Sequence, residues 1–240
     1  MMKQTLLKRL WPTLFLILFL CYSSIAQQLT RGLLMPGEGG KMVSCCLLLP
    51  KEPLSVYGEP GGKKIGELVP EFNELDKAIY QASFIVGEQT EKVEWKDQQM
   101  VGYETMAMVY LDHQNGFLQL TSGHWLAESE VSEKGLVVTT WMDYVVNAED
   151  VLGWYANDPG LNLRSEPSVS GEKIVTLSGD LWEIEPTGEV QGLWCKVTAK
   201  LYEVHPCDGG EAKVLRTLTG WVKILSDEQT LNVWEYTKGC

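Results

Sequence analysis

Residues 46–68 read CLLLPKEPLSVYGEPGGKKIGEL and residues 153–177 read GWYANDPGLNLRSEPSVSGEKIVTL, and the two share one pattern. With Glu59-Pro60 set over Glu166-Pro167, Leu54 falls over Leu161 and Val56 over Leu163. After a two-residue gap, Ile65 and Leu68 fall over Ile174 and Leu177. Farther on, Gly116-Phe117-Leu118-Gln119-Leu120 matches Gly192-Leu193-Trp194-Cys195-Lys196-Val197 in type, and Gly123-His124-Trp125-Leu126 matches Thr219-Gly220-Trp221-Val222. Self-similarity of this kind points to one small structural unit built twice rather than one large domain.

The units read as β. Leu54-Ser55-Val56-Tyr57 alternates apolar and polar, as a half-buried strand does. Met106 to Leu111 and Phe117 to Leu120 form another pair of runs, with Asn115-Gly116 a favoured hairpin turn between them. In the second copy Trp154 to Ala156, Leu161 to Arg164, Lys173 to Leu177, Leu181 to Glu185, Leu193 to Thr198 and Gly220 to Ile224 read as strands. Short strands at this spacing imply a small barrel or sandwich. Helix is expected only at Glu71 to Ala82 and around Trp141 to Val146.

The expected organisation begins with a signal peptide, 1–26. Lys3, Lys8 and Arg9 precede an apolar run from Leu10 to Tyr22, and Ser24-Ile25-Ala26 is a small-x-small cleavage site. That run is too short for the ~20 residues a spanning helix needs. Cys21 follows Leu20, where a lipid-attachment signal wants a small residue, so cleavage after Ala26 and export to the periplasm or beyond is the expectation. Residues 27–43 read as a flexible, glycine-rich leader. The first unit spans 44–131 with an insertion at 69–105, a connector covers 132–151, the second unit spans 152–226 with a long hairpin at 198–219, and 227–240 reads as a tail.

Charge narrows the partners. The chain carries a net charge of -12, and losing Lys3, Lys8 and Arg9 with the signal makes it -15. Such a surface repels phosphate backbones and anionic lipid heads, which argues against nucleic acid. Five cysteines follow the signal: Cys45, Cys46, Cys195, Cys207 and Cys240. None has a Cys-x-x-Cys metal spacing. Cys195 and one of Cys45 or Cys46 are expected as buried thiols, and a Cys195–Cys207 bridge is not expected if the hairpin turns near Asp208-Gly209-Gly210.

The second copy resembles the bacterial Src-homology-3-like (SH3-like) domain. The resemblance rests on Leu161-Asn162-Leu163-Arg164-Ser165-Glu166-Pro167, Ile174 to Leu177, Gly192-Leu193-Trp194-Cys195-Lys196-Val197 and Gly220-Trp221-Val222, in that order. The first copy departs from it: Tyr57 stands for Arg164, Phe117-Leu118 for Leu193-Trp194, and His124 precedes Trp125. The resemblance implies an all-β chain of two tandem, strongly bent antiparallel barrels, each with its own insertion. It also implies a binding role, toward peptidoglycan or peptides.

No catalytic set is visible. The three histidines are His113 and His205 at expected loop tips and His124 beside Trp125, and two barrels leave no room for a separate catalytic domain. His205, Cys207, Asp208 and Glu211 sit close in sequence without a known metal spacing, so no metal and no cofactor are expected. The nine tryptophans are the better clue. Trp125 and Trp221 are expected in the core. Trp182 alternates with Ile184, and Trp194 alternates with Lys196. A peptide groove, if present, would be lined by Tyr155, Trp182 and Trp194, with Asp158 and Glu166 offering charge to a cationic group. The expectation is a non-catalytic exported protein that binds a cell-wall peptide or envelope protein. The alternatives are an acidic inhibitor or assembly protein for a secreted basic partner, and a wall hydrolase whose site is not visible.

Overall fold

The computed structural model describes residues 29–37, 46–148, 151–208 and 212–236. The elements run β1 (Gly32–Pro36), β2 (Cys46–Leu47), β3 (Leu54–Tyr57), β4 (Lys64–Asn73), β5 (Ala78–Val86) and β6 (Gln89–Lys92), then a 3-10 turn at Trp95–Asp97. They continue through β7 (Gln98–Gly102), β8 (Thr105–Gln114), β9 (Phe117–Leu120), β10 (Trp125–Ala127), α1 (Glu128–Glu133), β11 (Leu136–Thr140) and α2 (Trp141–Asn147). The second half comprises β12 (Gly153–Ala156), β13 (Leu161–Arg164), β14 (Lys173–Leu177), β15 (Trp182–Gln191), β16 (Trp194–Tyr202), β17 (Val214–Lys223) and β18 (Val233–Tyr236). The protein is thus all-β apart from short helices, in two sheets, and no helix among the described residues is long and apolar enough to cross a membrane.

The repeat is present in the pairing itself. In the first sheet five strands lie side by side as β4-β3-β10-β9-β8, and in the second five lie as β14-β13-β17-β16-β15, antiparallel throughout. The registers coincide. Leu54 faces Leu68 and Tyr57 faces Lys64, as Leu161 faces Leu177 and Arg164 faces Lys173. Each pair carries an irregularity at the same place, between Val56 and Tyr57 and between Leu163 and Arg164. Tyr57 then pairs Trp125 as Arg164 pairs Trp221. A one-residue slip would turn every apolar side chain outward, so this register is held by burial. Val56, Leu68, Leu118, Leu120 and Leu126 are fully buried in one unit, and Leu163, Leu177, Cys195, Val197 and Val222 in the other.

Register also adjusts the alignment. Both hairpins turn through two residues, Asn115-Gly116 and Gly192-Leu193, so Phe117 occupies the place of Trp194 and not of Leu193. Asn115 and Gly116 both have positive φ, 52° and 75°, which an Asn-Gly turn tolerates and which matches strand twist.

The units differ in their additions. Residues 69–105 contribute the rest of β4 with β5, β6 and β7, and the β8–β9 pairing closes the path β8-β2-β5-β4-β3-β10-β9 into a ring. The short opening strand also differs: β2 runs parallel to β8, whereas β12 runs antiparallel to β15.

Several expectations need correcting. The supposed leader contains β1, inserted between β11 and β8 with Leu33 and Leu34 fully buried. The glycine count of 27–43 hid a short apolar run. The expected helix at Glu71 to Ala82 is instead the β4–β5 hairpin. Its turn is shaped by Asn73 and Asp76, whose carboxyl or amide oxygens accept from the backbone of Leu75 and Ala78. The supposed connector 132–151 holds β11 and α2, the latter as expected near Trp141. The supposed tail holds β18, which pairs with β12. Trp125 is buried, but Trp221 is only half-buried, because it alternates with the inward Val222 and faces out beside Arg164. His113 lies on β8 and not in a loop, bonded to Glu128 at 2.9 Å. Cys46 and Cys207 are each in a disulfide, while Cys195 is a free, buried thiol. Cys45, Cys240 and Glu211 lie outside the described residues.

The halves meet around α2. Thr140 caps it, its hydroxyl accepting from the Asp143 backbone at 3.1 Å. Tyr144 then meets Trp154 of β12 edge to face, with ring centroids 5.6 Å apart. The Thr30 backbone donates to Gln229 at 2.8 Å, and Gln99 donates to Glu235 at 2.6 Å. One continuous buried cluster runs through both sheets at this junction.

Candidate functional site

Strand β18 builds the site. It pairs with β12 in the register Gly153–Tyr236, Trp154–Glu235, Tyr155–Trp234 and Ala156–Val233. Alternation sends the two strands' side chains to opposite faces. Trp154, Ala156, Val233 and Glu235 point toward the junction, while Tyr155, Trp234 and Tyr236 share the outer face.

On that outer face four rings meet. Trp234 stacks on Tyr155 with centroids 4.9 Å apart and planes 28° from parallel. Tyr236 lies 6.5 Å from Trp234, edge on. His205, from the end of the β16–β17 hairpin, reaches back to within 5.5 Å of Tyr155 and 5.4 Å of Tyr236. Gly153 makes room for this arrangement. A Cβ there would lie 3.1 Å from the Tyr155 hydroxyl, so the ring can fold over the glycine. Tyr155 ends 2% exposed although it faces outward, because Trp234 covers it; Trp234 itself is 37% exposed.

The hairpin end is braced. The Cys207 backbone N–H donates to His205 Nδ1 at 3.1 Å, which leaves the ring's other nitrogen as the protonated one in neutral histidine. Tyr202 donates to Glu183 at 2.6 Å. Burial, with Glu183 and Asp180 nearby, pushes the Tyr155 hydroxyl up to about 12. The Tyr202 hydroxyl is raised as well, by burial first and then by Glu183. The carboxylates of Glu183 and Asp180 thus lie near the aromatic surface.

The five residues singled out from sequence do not gather. Tyr155 lies on the outer face under Trp234. Trp182 is buried on the opposite face with Ile184, which pairs with Trp154. Trp194 is half-buried at the far end of β16, six residues from Lys200, which sits level with Tyr155 through Glu183. At ~3.3 Å per residue that is roughly 20 Å. Asp158 and Glu166 are exposed in turns after β12 and β13. Trp234, Tyr236 and His205 were missed as partners of Tyr155. The alternating Val233-Trp234-Glu235-Tyr236 was a visible strand signal, but nothing in the sequence says which strand it joins.

Behind β18, at the junction, lies a crevice of about 360 Å³. Arg31, Gln99, Trp141, Asn157, Trp234 and Glu235 line it, over aliphatic side chains. Trp234 thus borders both the outer ring cluster and the crevice. No group of three or more histidine, cysteine or acidic side chains among the described residues is arranged to hold a metal ion. Comparison with protein-family models, curated proteins and solved structures returns no match.

Proposed function

We propose that this protein is a non-catalytic, exported binding protein built on two SH3-like barrels. It recognises a cell-envelope peptide, either a peptidoglycan stem or a segment of an envelope protein, through the outer face of β12 and β18. The stack of Trp234 on Tyr155 carries this reading: a rigid, partly exposed indole on a buried phenol is a platform for an apolar or cationic side chain. Glu183 and Asp180 beside Tyr155 favour the cationic choice. Matching registers in the two units support the duplicated barrel.

Catalysis needs a nucleophile, a base and a group that orients the base. Burial pushes the Cys195 thiol up to about 11, which disfavours the thiolate a nucleophile requires. The nearest hydroxyl–imidazole pair is Ser122 with His124, at 3.1 Å within one turn. His124 packs against Phe84 and has no carboxylate bonded to its ring among the described residues. His113 has a carboxylate, Glu128, but no bonded hydroxyl or thiol among the described residues.

Retention of the purified chain on insoluble peptidoglycan and on immobilised envelope peptides tests the proposal, with Trp234→Ala beside the native chain. Retention that Trp234→Ala abolishes is the expected result. No retention, or retention indifferent to the change, refutes it. Clearing of wall material in a zymogram would instead favour the hydrolase reading. Binding that collapses between low and moderate salt would favour an acidic inhibitor of a basic partner.

A further inference from the structure

The crevice behind β18 is lined by two ionisable groups of opposite sign, Arg31 and Glu235, neither of them in an ion pair among the described residues. Arg31 is half-buried, and its guanidinium has neither ion pair nor hydrogen bond among the described residues. It offers five donors in a planar fork that matches a carboxylate. Glu235 accepts one hydrogen bond, from Gln99 at 2.6 Å, and pairs with no cation among the described residues. Burial holds its carboxyl above the usual range, and the Gln99 bond only partly offsets that. Lysine and glutamate pair elsewhere on this chain, as at Lys134–Glu130 and Lys196–Glu189. Arg31 and Glu235 line one crevice and are not paired with each other.

Leaving two such groups half-desolvated is costly unless something completes them. The walls indicate what that is. Trp141 and Trp234 are among the lining residues, with aliphatic side chains between them and the amides of Gln99 and Asn157 adding hydrogen-bonding edges. Its volume lies at the lower end of small-molecule sites, and it sits between two structural units, where such sites concentrate.

We propose that the crevice binds a small zwitterion with an apolar side chain, a free amino acid or a dipeptide, with its carboxylate on Arg31 and its ammonium on Glu235. Trp141 packs against the side chain, with Trp234 at the rim. This inference rests on the binding reading above and deepens it: Trp234 joins the outer face to the crevice, so the small zwitterion is held beside the peptide-binding face.

The test titrates the full chain with the dipeptide Leu-Leu and with its N-acetylated, C-amidated form, following the indole N–H signals of Trp141 and Trp234. Leu-Leu is expected to shift both signals and the blocked form neither. Arg31→Gln and Glu235→Gln should each weaken Leu-Leu about tenfold or more, as expected for one charged hydrogen bond, while Arg31→Lys retains part of the affinity. The blocked control uses the native chain, so it does not depend on how the variants fold. Absence of any indole shift at about 10 mM Leu-Leu overturns the inference. So does equal binding of the blocked form, or unchanged affinity in well-folded Arg31→Gln. If Arg31→Gln still holds peptidoglycan in a Trp234-dependent way, the wider binding role stands and this subsite does not.

Discussion

Trp234 pairs directly across from Tyr155 on neighbouring strands and stacks on it at 4.9 Å, which is how an outward-facing tyrosine comes to be buried. The pair joins the last described strand to the first strand of the second unit. In the function proposed above it serves stability and recognition at once.

Removing the indole should reveal both roles. Trp234→Ala is expected to cost about 1–3 kcal/mol, from lost burial plus the ring pair. It should also uncover the Tyr155 hydroxyl, now raised to about 12 by burial and by Glu183 and Asp180. A phenol whose folded pKa is raised contributes stability that is full below its unfolded value and is lost as pH climbs through the folded value. The native chain should thus lose this contribution between about pH 10 and 12. In Trp234→Ala the Tyr155 titration should move toward its ordinary value, read from phenolate absorbance.

Glu235 responds to pH in the acid range. Burial raises its carboxyl, so the stability it contributes is present below the unfolded pKa and is lost as pH rises through the folded one. Glu235→Gln keeps an acceptor for Gln99 and removes the charge. In chemical denaturation the variant should equal or exceed the native chain at neutral pH. The advantage should fade below the ordinary glutamate range.

Glu130 has the opposite sign. Burial alone would raise its carboxyl, but hydrogen bonds from Lys134 and from the Ser55 backbone and hydroxyl overcome that and hold it low. Its oxygens accept from the Ser55 N–H at 3.1 and 3.2 Å and from Lys134 at 2.8 Å, pinning α1 to β3. The stability it contributes is present above the unfolded pKa and is lost as pH falls through the folded one. Glu130→Ala is expected to cost about 1–3 kcal/mol at neutral pH by leaving the Ser55 N–H short of an acceptor, and the loss should shrink in acid.

Cys195 should be silent in the folded chain. It is fully buried, and burial lifts its thiol to about 11, so iodoacetamide at mild alkaline pH should leave it unlabelled until denaturant is added. Mass spectrometry of the Cys195 peptide before and after unfolding checks this.

Local pattern made much of this fold readable. Leu54 to Tyr57 and Leu161 to Arg164 are strands at the residues where alternation places them, because one face of each is buried against its own unit. The Asn115-Gly116 turn fixed a hairpin register for the same local reason. What failed was long-range. β1 and β18 are short strands whose partners lie far off in sequence, Val109 for Leu33 and Tyr155 for Trp234, and no local signal names a distant partner. Trp182 and Tyr155 looked alike in sequence, yet one strand's alternation puts Trp182 with Ile184 on the inner face and its neighbour's puts Tyr155 outside. The aromatic content therefore pointed to a ring cluster on the surface without naming its members. Arg31 gave no signal at all, since its meaning depends on Glu235 lying across the same crevice.

The most direct measurement is an indole-resolved titration of the native chain with a soluble wall-derived peptide. The Trp234 signal should move first and furthest, while Trp182, sealed on the opposite face, stays still. A shift confined to Trp194 or Trp221 with Trp234 unmoved, or no shift of any indole, would contradict a recognition surface on β12 and β18.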